Sequence, residues 1–131
     1  MITIIARWEQ QQMPPQVEYQ LWRQLRGAFK IDRLIFTPVL PQMFDYHVDQ
    51  FDTMEEALAS TMDELVFLEP TATNGLLDMP QGDIVLILGN TSKNNLAYAK
   101  TEETYSIQTP QRTHLYPSEA AAIALSIRYG Q

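Results

Sequence analysis

Gly82-Asp83-Ile84-Val85-Leu86-Ile87-Leu88-Gly89-Asn90-Thr91 holds an unbroken aliphatic run between two glycines. Successive side chains of a strand point to opposite faces, so a strand wetted on one side alternates apolar and polar residues. A continuous aliphatic run is the pattern of a strand covered on both faces, as in the middle of a parallel sheet. In open sheets of that kind ligands bind beyond the carboxyl ends of the strands. The loop that begins at Gly89 is therefore the first place where chemistry is expected.

The flanking segments supply partners for this strand. Ile2-Thr3-Ile4-Ile5-Ala6 is β-branched and short, which suits a first strand, and Met13-Pro14-Pro15 breaks the chain before a helix. Val17, Leu21, Leu25 and Ala28/Phe29 recur at helical spacing and predict one apolar face of a helix ending near Lys30. Leu34-Ile35-Phe36, closed by Thr37-Pro38, reads as a second strand. Thr53 to Met62 reads as a helix with Thr53 as N-cap and Glu56 completing a capping box. Leu65-Val66-Phe67-Leu68 is a third strand stopped by Pro70, and Ile84 to Leu88 is the fourth. Ser92 is placed to cap a short helix through Leu96 and Tyr98, and Thr104 to Ile107 forms a weaker fifth strand.

The last helix runs from about Pro117 to Tyr129, with proline in its first turn and Gly130 at its end. Ala120, Ala121, Ala122, Ile123, Ala124, Leu125 and Ile127 leave almost no polar face before Arg128. A helix apolar nearly all round needs cover on several sides. Burial against the sheet on one side and against a second subunit on another meets that need. The alternation of strands and helices predicts a single α/β domain over residues 1–131: a three-layer, mostly parallel sheet with helices on both faces.

Composition narrows the function classes. The chain has no cysteine, which removes disulfides, thiolate metal sites and cysteine nucleophiles together. The opening residues carry Arg7, Glu9 and Pro14-Pro15, so no signal-peptide core is expected, and no apolar run reaches the roughly 20 residues that span a bilayer. A soluble, cytoplasmic protein follows as the expectation. The net charge of -7 argues against broad affinity for phosphate backbones. The charge is uneven, however: Asp45 to Glu69 contains acids and no Lys or Arg, whereas Arg23, Arg26 and Lys30 form a basic stripe on the first helix. That stripe reads either as a solvated face or as a contact for an anion or nucleic acid.

Common nucleotide-binding signatures are missing, since neither Gly-x-x-x-x-Gly-Lys nor Gly-x-Gly-x-x-Gly occurs. The two histidines, His47 and His114, show no metal-ligand spacing, so no metal is expected. Ser118 reads as a helix cap or a ligand contact. Glu69 follows a buried strand at its carboxyl end and is the acid best placed for function. The pairs Asp63-Glu64 and Glu102-Glu103 read as solvated charges.

The order of elements and three local patterns resemble the SPOUT methyltransferases, in their short, single-domain tRNA ribose 2'-O-methyltransferase form. The opening strand followed by Met13-Pro14-Pro15 is similar to that family's first motif. Asp83 to Asn90 followed by Leu96 resembles the second, and Leu115, Ser118 and Ala120 to Leu125 resemble the third. The resemblance covers nearly the whole chain. It implies a deep trefoil knot through which the C-terminal helix passes, and S-adenosylmethionine held by the knotted loops. It also implies a homodimer packed through the first and last helices. Carried over by position, the cofactor pocket comprises Leu68, Leu88, Gly89, Asn90, Ile107, Thr109, Leu115 and Ser118, and Arg23 is the candidate catalytic residue. Arg23, Arg26 and Lys30 would face an RNA substrate.

The motifs also depart from the family pattern. Gln16 stands where asparagine is usual, Trp22 where an arginine is usual with Arg23 one residue on, Thr91 where glutamate is usual, Asn95 where a glycine is usual and Tyr116 where asparagine is usual. Two functional readings follow. One is an RNA ribose 2'-O-methyltransferase that uses S-adenosylmethionine. The other is a catalytically degenerate homodimer of the same fold that serves as a binding or interaction module. An unknotted flavodoxin-like domain is a third, structural alternative.

Overall fold

The computed structural model describes residues 1–8, 14–40, 44–89, 95–112 and 115–130. Strands β1 (Ile2–Arg7), β2 (Arg33–Thr37), β3 (Asp49–Gln50), β4 (Glu64–Glu69), β5 (Ile84–Leu88) and β6 (Thr104–Ser106) form one sheet in the order β3-β2-β1-β5-β4-β6. All its pairings are parallel. Helix α1 spans Pro15–Ala28, α2 Met54–Ala59 and α3 Pro117–Tyr129. Among the described residues no helix is long and apolar enough to cross a membrane.

The aliphatic run occupies the centre of this sheet. Ile84 to Leu88 pair with Ile2 to Ala6 of β1 on one side and with Glu64 to Leu68 of β4 on the other. Its side chains divide strictly between the faces. Ile84, Leu86 and Leu88 join a core with Ile4, Trp22, Phe36, Leu68, Ala121, Ala124 and Leu125, under α1 and α3. Val85 and Ile87 join a second core with Ile5, Ile35, Phe67, Met54 and Ala57, under α2. Each fully buried aliphatic side chain contributes roughly 1.5–3 kcal/mol, so β5 needs apolar residues at every position. The three-layer architecture is the one expected, with a sheet that is parallel throughout.

Local details differ from expectation where periodicity was ambiguous. In α1 the buried residues are Glu18 and Trp22, whereas Val17 is 47% exposed and Ala28 is exposed. The expected stripe is thus split: Val17 and Ala28 are exposed and Leu21 is half-buried, whereas Leu25 and Phe29 pack against the core under α1 and α3. Trp22 sets the orientation: it is the largest apolar side chain in the helix, and its ring packs 5.8 Å from that of Phe36. The helix also ends at Ala28, two residues before Lys30. Helix α2 stops at Ala59, because Ser60 and Thr61 turn their hydroxyls back onto the carbonyls of Ala57 and Leu58. Thr53 does cap it, accepting from the Glu56 N–H at 3.2 Å. The two-residue strand β3 has no apolar pattern; it is held by Asp49, which pairs with Arg33 at 2.6 Å. Leu96–Tyr98 forms a single 3-10 turn, and the expected cap of that segment, Ser92, lies outside the described residues.

Candidate functional site

The carboxyl ends of β1, β5, β4 and β6 line up along one edge of the sheet. Leu68 and Leu88 are register partners, and Leu68 also sits opposite Tyr105. The chain leaving β6 folds back across β4, since the Ile107 N–H donates to the Glu69 carbonyl at 2.8 Å. Ile107 and Leu115 then enter the same core as Leu68 and Leu88. Four of the residues assigned to a cofactor pocket, Leu68, Leu88, Ile107 and Leu115, therefore form one apolar wall, with half-buried Gly89 at its rim. Thr109 lies in a closed turn in which its N–H donates to the Arg112 carbonyl and its hydroxyl accepts from the Arg112 N–H. Asn90, Thr91 and His114 lie outside the described residues.

A polar bridge spans this edge. Glu69 is 3% exposed, and its Oε1 accepts from the Asn95 N–H at 3.1 Å. Asn95 Oδ1 accepts from Arg7 Nη1 at 3.0 Å. The ends of β1 and β4 are thus tied together across the end of β5. Asn95 is wholly buried, and its Nδ2 makes no hydrogen bond among the described residues. Nearby, Glu55 is held below the usual carboxylate range by its own backbone N–H in the first turn of α2, with help from the Tyr98 hydroxyl.

A second cluster lies where α1 meets the first turn of α3. Trp22 Nε1 donates to Glu18 Oε1 at 2.7 Å, and the Ser118 hydroxyl donates to Glu18 Oε2 at 3.4 Å. Glu18 and Trp22 have no exposure and Ser118 has 3%. Burial pushes the Glu18 carboxyl up to about 7, against the downward pull of its bonds to Trp22 and Ser118. Ser118 is therefore not the cap of α3. Tyr116 stands at that position, and its N–H donates to Glu119 Oε1 at 2.9 Å.

Beside this cluster is a groove of about 280 Å³ between the two helices, lined by Leu21, Gln24 and Leu25 of α1 and by Ser118, Glu119 and Ala122 of α3. Glu18 escaped the sequence reading because the apolar stripe beside it drew the helix axis the other way. One signal for it existed: Glu18, Trp22, Leu25 and Phe29 also follow helical spacing, and that stripe contains the tryptophan.

The basic stripe points elsewhere. Arg23 Nη1 pairs with Asp45 at 2.9 Å, Arg26 donates to the His47 carbonyl and lies over the Tyr46 ring, and Lys30 stands 4.0 Å from Asp32. Among the described contacts none joins Arg23 to the apolar wall or to Ser118. His47 is exposed and reaches Asp49 at 3.1 Å. Among the described residues no group of three His, Asp or Glu is arranged to hold a metal ion.

No protein-family model matches the chain, and no curated protein does. Its fold is similar to a crystal structure from Bacillus anthracis described as a "putative RNA methyltransferase". The likeness covers 99% of this chain and 93% of that one, with a TM-score of 0.77 at 14% identity. At that identity it establishes the fold, and activity has to be argued from the site.

Proposed function

We propose that this chain is a SPOUT-like protein that binds S-adenosylmethionine and methylates the 2'-hydroxyl of an RNA ribose. The observation that carries this reading is that Leu68, Leu88, Ile107 and Leu115, the apolar positions that the family resemblance assigns to the pocket, share one core at the carboxyl edge, Leu88 and Leu115 within the motif segments themselves. Gly89, Asn90, Thr109 and Ser118 complete the pocket in this reading. The chain forms a trefoil knot and acts in the cytoplasm as a homodimer packed through α1 and α3. The description of the Bacillus anthracis neighbour supports the same reaction class.

Exposed Val17 and half-buried Leu21 support the dimer, because α1 carries these apolar residues outside its own core. Arg23, Arg26 and Lys30 supply the phosphate contacts. Their present partners are on the surface, where an ion pair contributes about 0–1 kcal/mol, so RNA phosphates compete for them at small cost. The reaction itself is an alignment problem: the pocket holds the methyl donor against a hydroxyl nucleophile, and proximity provides much of the rate.

A second reading, a dimeric binding module without turnover, is favoured by one observation. Trp22 occupies the position of the family's arginine and is wholly buried, and Arg23 beside it is engaged with Asp45. Calorimetry with S-adenosylmethionine, paired with transfer of a labelled methyl group to a broad RNA pool, separates the two. Binding with transfer is the expected result. Binding without transfer establishes the module, and absence of both overturns the cofactor reading.

A further inference from the structure

We propose that Ser118 and Glu18 form a proton relay opening into the groove between α1 and α3, which removes the proton from the hydroxyl that is methylated. Ser118 touches that hydroxyl, and Glu18 acts behind it as a positioning residue. The inference rests on the methyltransferase reading and adds the proton acceptor that reading lacks, because Arg23 is turned toward Asp45.

Geometry carries it. Ser118 is the one hydroxyl-bearing residue among those lining the groove. Behind it, Glu18 Oε2 lies 3.4 Å from Ser118 Oγ, while Trp22 Nε1 anchors Oε1 at 2.7 Å. The carboxyl is thus fixed on one side and presents its other oxygen to the serine. Its surroundings also suit the task. A carboxyl in water is a weak base at neutral pH, whereas this one is pushed up to about 7, near the value at which a proton acceptor works best. Glu119 and Tyr46 interact with it electrostatically. Glu119 on α3 raises it further while being held by Arg112, and Tyr46, in the loop after β2, is kept neutral by its own burial.

The step balances. As the ribose oxygen bonds to the methyl carbon of the sulfonium donor, its proton passes to Ser118 Oγ and the serine's own proton passes to Glu18 Oε2. The carbon–sulfur bond breaks with its electron pair kept on sulfur. A sulfonium and a carboxylate become a thioether and a carboxylic acid, so charge is conserved.

The test uses the full chain and its Glu18→Gln, Ser118→Ala and double variants. Methyl transfer from S-adenosylmethionine to an RNA pool is followed across roughly pH 5.5–9, and calorimetry in two buffers of different ionisation heat counts protons released when the donor binds. The wild-type rate should rise through a limb centred near pH 7. Each single variant should lose about 100-fold or more, and the double variant no more than the worse single one. Donor binding near pH 7 should release a fraction of a proton, because a sulfonium favours the carboxylate; Glu18→Gln should abolish that release. Glu18→Asp, one methylene shorter, should keep the limb at reduced rate, and it decides the matter if Glu18→Gln does not fold. Variants that bind the donor and keep the wild-type rate and pH limb overturn the relay alone. A wild-type protein that neither binds the donor nor transfers methyl overturns the relay together with the reading beneath it.

Discussion

Trp22 Nε1 stands 2.7 Å from Glu18 Oε1, one turn back along α1, and neither side chain has any exposed surface. A carboxyl group without a cation beside it is stable there chiefly when it keeps its proton, which is why burial raises it from 4.5 to about 7. Below about pH 4.5 the folded and unfolded chains both hold that proton. Between 4.5 and about 7 only the folded chain does, so stability falls as pH rises through this window and stays low above it. Glu18→Gln has no such titration. Urea unfolding should find it close to wild type near pH 4.5 and more stable by roughly 3 kcal/mol above pH 7. A difference that does not change with pH sinks this account of Glu18.

Trp22→Phe keeps an aromatic ring against Phe36 but removes the donor to Glu18. An unsatisfied buried acceptor costs about 1–3 kcal/mol, and more when it is charged. The loss should therefore be larger at pH 8, where the carboxyl is mostly ionised, than at pH 5. The Glu18 titration should also move upward, since the indole bond holds it down. Equal losses at the two pH values would show that the bond does not favour the ionised form.

Which parts of this fold the sequence discloses depends on how local the cause is. The central strand is legible because five aliphatic side chains have to be covered on two faces, and no other element of that length demands it. The Thr53 cap is legible because its partner is three residues away. The order of strands is not, since periodicity names a face and not a neighbour. Strand β3 hides because Asp49 and Gln50 are polar and are placed by Arg33, sixteen residues distant. Helical spacing in α1 points to the stripe led by Val17, but the buried face is the one holding Trp22, the largest apolar side chain of the helix. At the site, Leu68, Leu88, Ile107 and Leu115 are brought together in the sequence only by the family resemblance, and in the structure they share one core. Glu18 could not be grouped with its second partner, because Ser118 lies a hundred residues along the chain.

Arg128, in the last turn of α3, donates to the carbonyls of Pro80, Gln81 and Gly82, which lead into β5. It fastens the helix to the strand that it covers. Just beyond it the helix stops at Gly130, where a Cβ would fall 2.8 Å from the Ser126 carbonyl oxygen. Arg128→Met keeps most of the stem and removes the donors, and should cost about 1–2 kcal/mol in urea unfolding. Hydrogen exchange should quicken at the Ile84 N–H, which bonds to the Met1 carbonyl at the start of the same strand. Unchanged stability would mean that water satisfies the three carbonyls equally well.

Leu21 stands at the wall of the groove, between exposed Val17 and half-buried Leu25, on the face of α1 turned away from the core. In a homodimer packed through α1 and α3 the residue is buried twice by symmetry, once in each copy. Fully burying a leucine contributes about 1.5–3 kcal/mol and the dimer buries only the remainder in each copy, so losing both contacts and adding two carboxylates should weaken association at least about 10-fold. Leu21→Glu should therefore sediment as a monomer at concentrations where the wild type is dimeric. Its thermal unfolding, measured at a concentration where both are monomers, should differ little, because the side chain is already half in water in the single chain. A wild type that sediments as a monomer throughout rules out the dimer. A variant that stays dimeric places the interface on a face other than this stripe.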